Sequence, residues 1–163
     1  MEIYIHRHGI AVERGASGYK KDSDRPLTKE GEEKMLQIAQ AVFAMDVRFD
    51  LILSSPYVRA DQTAQIVAGE LDREVTFTKF LAPGGDASEL IAEINDEKPQ
   101  RVLVVGHEPD LSRLISVLVT GDGDAAIELK KGGLCKLTTD RLTLSRCATL
   151  NWLLTPKQLR DLR

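Results

Sequence analysis

A three-layer α/β/α sandwich with a mainly parallel central sheet is the fold this sequence predicts, on three observations. Short apolar runs rich in β-branched residues recur at Ile3–Ile5, Leu51–Leu53, Val75–Phe77 and Val102–Val105. Amphipathic helical patterns lie between most of them, which is a βαβ rhythm. The run at 102–105 is wholly apolar, as expected of a central parallel strand covered on both faces. A chain of 163 residues is long enough for a single sizeable core, and no repeat, linker or compositional shift marks a boundary, so one domain over 1–163 is expected.

Taken in order, strand Ile3–Ile5 runs on into a polar stretch, Glu13 to Asp24, which reads as a long loop. A helix should begin near Thr28, a good N-cap, with Met35, Ile38, Ala39, Val42 and Phe43 on one face. Leu51–Leu53 leads into Ser54-Ser55-Pro56, where Ser55 suits an N-cap and Pro56 the first helical position; Ala60, Ala64, Val67, Ala68 and Leu71 then continue an apolar stripe. Pro83-Gly84-Gly85 is a turn, and Asp86 can cap a shorter helix holding Leu90, Ile91 and Ile94. After Arg101–Val105, Gly106-His107-Glu108-Pro109 turns the chain into a helix from Asp110 to about Val119. Beyond Gly121 the helical signal fades, and Leu134–Thr139 and Thr149–Leu154 read as strands of open direction.

Composition narrows the function classes. With 22 Lys and Arg against 25 Asp and Glu, the net charge of −3 calls for neither nucleic acid nor an anionic membrane as partner. No apolar run approaches the roughly 18 residues a membrane span requires. The first residues, Met1-Glu2-Ile3-Tyr4-Ile5, lack the pattern of a signal peptide, so the cytoplasm is the expected location. Cys135 and Cys147 have neither CxxC spacing nor a histidine-rich neighbour, and are expected to be reduced and partly buried.

In open parallel sheets, ligands bind beyond the carboxyl ends of the strands. Here those ends carry His6-Arg7-His8-Gly9, Ser54-Ser55-Pro56-Tyr57-Val58-Arg59 and Gly106-His107-Glu108. Arg59 can reach the same edge as the free N–H groups of its helix start, and a helix start with an arginine is an anion site. Arg25 is a further candidate, in the loop that leaves the same edge. Gathering Arg7, Arg25 and Arg59 at one point is unfavourable unless a doubly negative group binds there, and phosphate fits. His8 is the candidate nucleophile: neighbouring guanidinium groups should lower its pKa and leave the ring neutral. Gly9, without a Cβ, would let backbone N–H groups approach a phosphate oxygen. His107 would donate a further hydrogen bond, and bidentate arginines would stabilise the equatorial oxygens.

Arg7-His8-Gly9, the pattern Ser54-Ser55-Pro56-x-x-Arg59-Ala60-x-Gln62-Thr63-Ala64, and Gly106-His107, in that order, resemble the histidine phosphatase (phosphoglycerate-mutase-like) superfamily. The short length, the Arg25-Pro26-Leu27-Thr28-x-x-Gly31 segment, the Pro83-x-Gly85-Asp86 turn and the late Asn151-Trp152 look like its SixA-type phosphohistidine phosphatases. Ile10 departs from that pattern, standing where an acidic residue is frequent. The resemblance implies that His8 becomes phosphorylated and is then hydrolysed, with Arg7, Arg25, Arg59 and His107 as the phosphate pocket and no metal or organic cofactor. It implies a phosphorylated protein or a small phosphomonoester as partner and inorganic phosphate as product.

The general acid decides between those two substrates. An alkoxide leaving group needs one, and the candidates are Asp86 and Glu89, neither in a clear mutase-type motif; a phosphorylated imidazole needs far less help. The favoured substrate is therefore protein phosphohistidine, with a small phosphomonoester as the alternative. A phosphate-binding module without turnover and a metal hydrolase built on His6-x-His8 are rivals of other classes, the latter short of ligands with three histidines in the chain. Simpler roles are open to several of these residues. His6 reads as a packed strand histidine, Asp86 as a helix cap, Gln62 and Thr63 as helix anchors, Glu108 as favouring the next helix start and Trp152 as core.

Overall fold

The computed structural model describes all 163 residues. The strands are β1 (Glu2–Arg7), β2 (Leu51–Ser54), β3 (Thr76–Phe77), β4 (Arg101–Gly106), β5 (Leu134–Thr139) and β6 (Ala148–Leu154). They form one sheet in the order β3-β2-β4-β1-β5-β6. The pairs β1–β4, β2–β4 and β2–β3 are parallel, whereas β5 runs antiparallel to both β1 and β6. The helices are α1 (Lys29–Ala44), α2 (Val58–Leu71), α3 (Ala87–Glu97), α4 (Asp110–Thr120) and α5 (Pro156–Asp161).

Period-two alternation divides the core between the two faces of the sheet. Tyr4, Leu103 and Val105 pack with Met35 and Ile38 of α1, Ala60, Ala64 and Val67 of α2, and Leu159 of α5. Ile3, Ile5, Val102 and Val104 pack on the other side with Leu90 and Ile94 of α3 and Leu111, Ile115 and Leu118 of α4. That is the expected three-layer sandwich with a mostly parallel sheet. Val102–Val105 is fully buried, and each such side chain contributes roughly 1.5–3 kcal/mol relative to exposure. Trp152 packs edge-on against Tyr4. No helix is long and apolar enough to cross a membrane.

Several local expectations need correction. The second helix starts at Val58 with Tyr57 at its N-cap, two residues later than Ser55 and Pro56 suggest. Ser55 N–H is instead engaged by Val105 O, continuing the β2–β4 ladder, and its hydroxyl is committed elsewhere. The strand expected at Val75–Phe77 is only two residues long and exposed, being an edge. The loop after β1 contains a 3-10 turn at Asp22–Asp24, and α5 had no counterpart in the sequence reading. Thr28 and Asp86 do cap α1 and α3 through their side chains. Cys135 is buried and Cys147 half-buried, both as free thiols.

The parallel register sets up the site. Arg7 pairs with Gly106 and Ser54 with Val105, so β1, β2 and β4 end almost level and release their next residues at one edge.

Candidate active site

At that edge lies a cavity of about 180 Å3 whose lining includes Arg7, His8, Arg25, Arg59 and His107. Three separate loops therefore bring to one point five of the six residues singled out from the sequence. Asp22, Arg14, Glu108 and Lys131 complete its charged wall.

The His8 ring is held in one tautomer. Its Nδ1 lies 2.7 Å from Gly9 O, and since a carbonyl can only accept, Nδ1 carries the proton. Nε2 is left with its lone pair and accepts from Arg59 Nε at 3.3 Å. Burial, more than the neighbouring charges of His107, Arg59 and Arg7, lowers the pKa of His8 to about 3. The neutral ring expected from the sequence is present, but desolvation is its main cause and the guanidinium groups are secondary.

His107 stacks obliquely on His8 with ring centroids 5.2 Å apart. Its Nε2 lies 2.8 Å from Ser55 Oγ, which also accepts from Tyr57 N–H. When the Ser55 hydroxyl donates to His107 Nε2, the ring proton sits on Nδ1 and is left as a free donor. His107 Nδ1 and Arg7 Nε are both buried and without a partner. Burial first, then Arg59, lowers the His107 pKa to about 4.

The arginines are fixed from behind. Arg7 Nη1 donates to Leu129 O at 3.0 Å, which ties the end of β1 to the segment before β5. Arg59 is buried beneath Tyr57, its guanidinium carbon 5.2 Å from the ring centroid. Asp22 is the residue that sequence reasoning missed. Its carboxylate bonds Arg25 Nε at 2.8 Å and Arg59 Nη2 at 3.0 Å, and its carbonyl accepts from Arg59 Nη1. Partial burial by itself raises the Asp22 pKa, but the hydrogen bonds from Arg25 and Arg59 outweigh it and hold the carboxyl at about 2. The one signal in the sequence was electrostatic: three arginines at one point need a counter-charge, and an acid three residues before Arg25 can supply it.

Gly9 does not fill its expected role. Its N–H donates to Thr63 Oγ1 at 3.0 Å, and a Cβ there would meet Met35 Cγ at 2.7 Å, so the glycine is needed for packing on α1. Thr63 also donates to Arg59 O, and Gln62 accepts from Leu27 N–H, so both anchor the loops that carry the site. His6 is buried and turned away, its Nε2 donating to Gly132 O at 3.2 Å. Asp86 caps α3 and Glu89 is exposed; neither lines the cavity. Glu108 does, with a carboxylate oxygen accepting from Ser112 N–H at 2.8 Å.

A profile of the histidine phosphatase superfamily (branch 1) matches residues 3–82, the half of the chain that supplies Arg7, His8, Arg25 and Arg59. An uncharacterised protein of Picosynechococcus sp. is 38% identical over 84% of each chain. The phosphohistidine phosphatase SixA of Escherichia coli K12 is 29% identical over 98% of this chain and 97% of its own. A solved structure of the protein histidine phosphatase SixA complexed with tungstate superposes with a TM-score of 0.83 at 28% identity, covering 98% of this chain and 99% of the other. The chain belongs to the histidine phosphatase superfamily and within it is of SixA type.

Proposed function

We propose that the chain is a phosphohistidine phosphatase that takes the phosphoryl group of a protein phosphohistidine onto His8 Nε2 and releases it to water as inorganic phosphate. The observation that carries this reading is the His8 ring itself, neutral, with Nδ1–H held by Gly9 O and the Nε2 lone pair turned toward Arg59 in a cation-lined cavity. Phosphoryl transfer asks mainly for alignment and for charge on the three equatorial oxygens. Arg7, Arg59 and the His107 Nδ1–H supply both, and Arg25 completes the pocket while balancing Asp22.

In the first step the Nε2–P bond forms as the substrate's N–P bond breaks. A substrate imidazole protonated at its second nitrogen departs neutral and needs no acid. Water then attacks phospho-His8, the P–N bond breaks, and the electron pair returns to Nε2. Neither step calls for a metal ion, so turnover should survive chelation. The small-phosphomonoester alternative asks for Asp86 or Glu89 at the leaving oxygen, where neither stands.

The test is incubation with a protein carrying labelled phosphohistidine, followed by rapid quench. An acid-labile, base-stable adduct on His8, lost in His8→Ala together with turnover, is the expected result. Turnover without the adduct, or a higher kcat/KM on sugar phosphates, overturns the reading; binding without turnover in the wild type identifies a binding module instead.

A further inference from the structure

Behind the Arg7-His8-Gly9 turn lies a second cavity of about 270 Å3, whose floor is Gly9, Met35, Ile38 and Gly132. Five cations ring it: Lys34 on α1, Lys130 and Lys131 before β5, and Lys157 and Arg160 on α5. No carboxylate lines it. Glu30 is engaged with Lys34, while Lys130, Lys131, Lys157 and Arg160 form no ion pair with any acid of the chain. In a molecule with net charge −3, an unneutralised basic concavity is a departure from the rest of its surface.

This cavity is tied to the phosphate site. Lys131 lines both, standing on the wall between them. The segment carrying Lys130 and Lys131 is pinned to the catalytic turn: Gly132 N–H donates to Arg7 O and His8 O, Arg7 N–H to Gly133 O, and Arg7 Nη1 to Leu129 O. The basic ridge therefore has a fixed position relative to His8. A monophosphate held by His8 fills only the smaller cavity, so the second one serves a ligand that extends past Lys131 and brings its own negative charge.

Resting on the phosphohistidine reading above, we propose that this pocket docks the substrate protein, receiving acidic side chains that flank its phosphohistidine. The contact acts on KM and on association rather than on the chemical step, and it is screened by salt.

The test compares wild type with K157E/R160E, both positions lying outside the phosphate cavity, on two substrates: a phosphohistidine protein and free phosphoramidate. The expected result is a loss on the order of tenfold in kcat/KM on the protein, carried by KM, with a flattened salt dependence and unchanged turnover of phosphoramidate. Equal losses on both substrates, or no loss on the protein, overturn the proposal. A second measurement is independent of turnover: amide chemical shifts during titration with a Glu- and Asp-rich peptide and, separately, with tripolyphosphate. Peptide-induced shifts at Gly31, Lys130 and Gly132 that vanish in K157E/R160E support docking even if the wild type fails on phosphohistidine, a failure that would count against the function alone. Shifts with tripolyphosphate only make the pocket a small-anion site and overturn the docking.

Discussion

The two cavities on either side of the His8-Gly9 turn are both built from cations, yet they handle charge in opposite ways. In the catalytic cavity Arg25 and Arg59 are locked to Asp22, and three hydrogen bonds to main-chain carbonyls hold Arg7, Arg59 and His8 in place. In the basic pocket Lys130, Lys131 and Lys157 are exposed and meet no acid. The difference is what chemistry and docking each require. A transition state is stabilised by donors that need no reorganisation, which calls for side chains held before the ligand arrives. A protein surface is met by mobile, hydrated charges that adapt to it at little desolvation cost.

The largest test of that contrast is Arg59→Ala. One side chain touches His8 Nε2, Asp22 and the cavity, so its loss removes an oxyanion partner and releases Asp22 together. A fall in kcat of roughly 10²–10³-fold is expected. Arg59→Lys should recover little, because a point charge cannot reach Asp22 and His8 at once. Steady-state kinetics checks both, and full activity in the lysine variant would show that charge alone matters, erasing the distinction between the two cavities.

Acid stability separates the two regions next. His6, His8 and His107 are held by burial at about 4, 3 and 4, while an exposed histidine titrates near 6.5. Between those limits the unfolded chain binds more protons than the native one, so stability rises with pH and is lost as pH falls below about 6.5. With three such groups the slope is on the order of 4 kcal/mol per pH unit near pH 5.5, fading below about 4 as the native histidines protonate. Urea denaturation at pH 7 and at pH 5.5 measures it. K157E/R160E should keep the slope, since all three buried histidines lie outside the lining of the basic pocket; His6→Phe should reduce it by about a third.

Asp22→Asn gives a smaller effect with an informative sign. Ionised at any working pH, Asp22 competes with phosphate for Arg25 and Arg59. Its neutral variant should bind inorganic phosphate about tenfold more tightly, as one charged competitor is removed. Calorimetric titration decides this, and weaker binding would mean that Asp22 organises the arginines more than it opposes the ligand.

How far the sequence revealed all this depended on whether the signal was local. The apolar run of β4, the Thr28 and Asp86 caps and the three strand-end motifs are read from neighbours in the chain, and each is where it was expected. Asp22 acquires its meaning only when Arg25 and Arg59 meet it through folding. The low pKa of His8 follows from burial, which no motif encodes, and Gly9 is explained by Met35, distant in sequence. The α5 helix did carry a local signature in Thr155-Pro156-x-Gln158, a capping box with proline at the first position, but six residues give too short a period to stand out. The basic pocket escaped notice because its cations come from α1, the segment before β5 and α5.

The smallest expected effect concerns Asp86 and Glu89, the two candidate general acids, which lie outside the lining of the catalytic cavity. Asp86 spends its carboxylate on Ser88 and Glu89 N–H groups at the start of α3, and asparagine caps a helix about as well. Asp86→Asn and Glu89→Gln, singly or together, should therefore leave kcat on a phosphohistidine protein within about twofold of wild type and stability within about 0.5 kcal/mol. If the leaving group is an imidazole already protonated at its far nitrogen, nothing at that position has a proton to give. A loss of tenfold or more in kcat, with KM unchanged and a basic limb of the pH profile shifted, would place a general acid on α3 after all. The cavity would then have to be redrawn around an alkoxide leaving group, and with it the need for a protein-sized docking pocket next door.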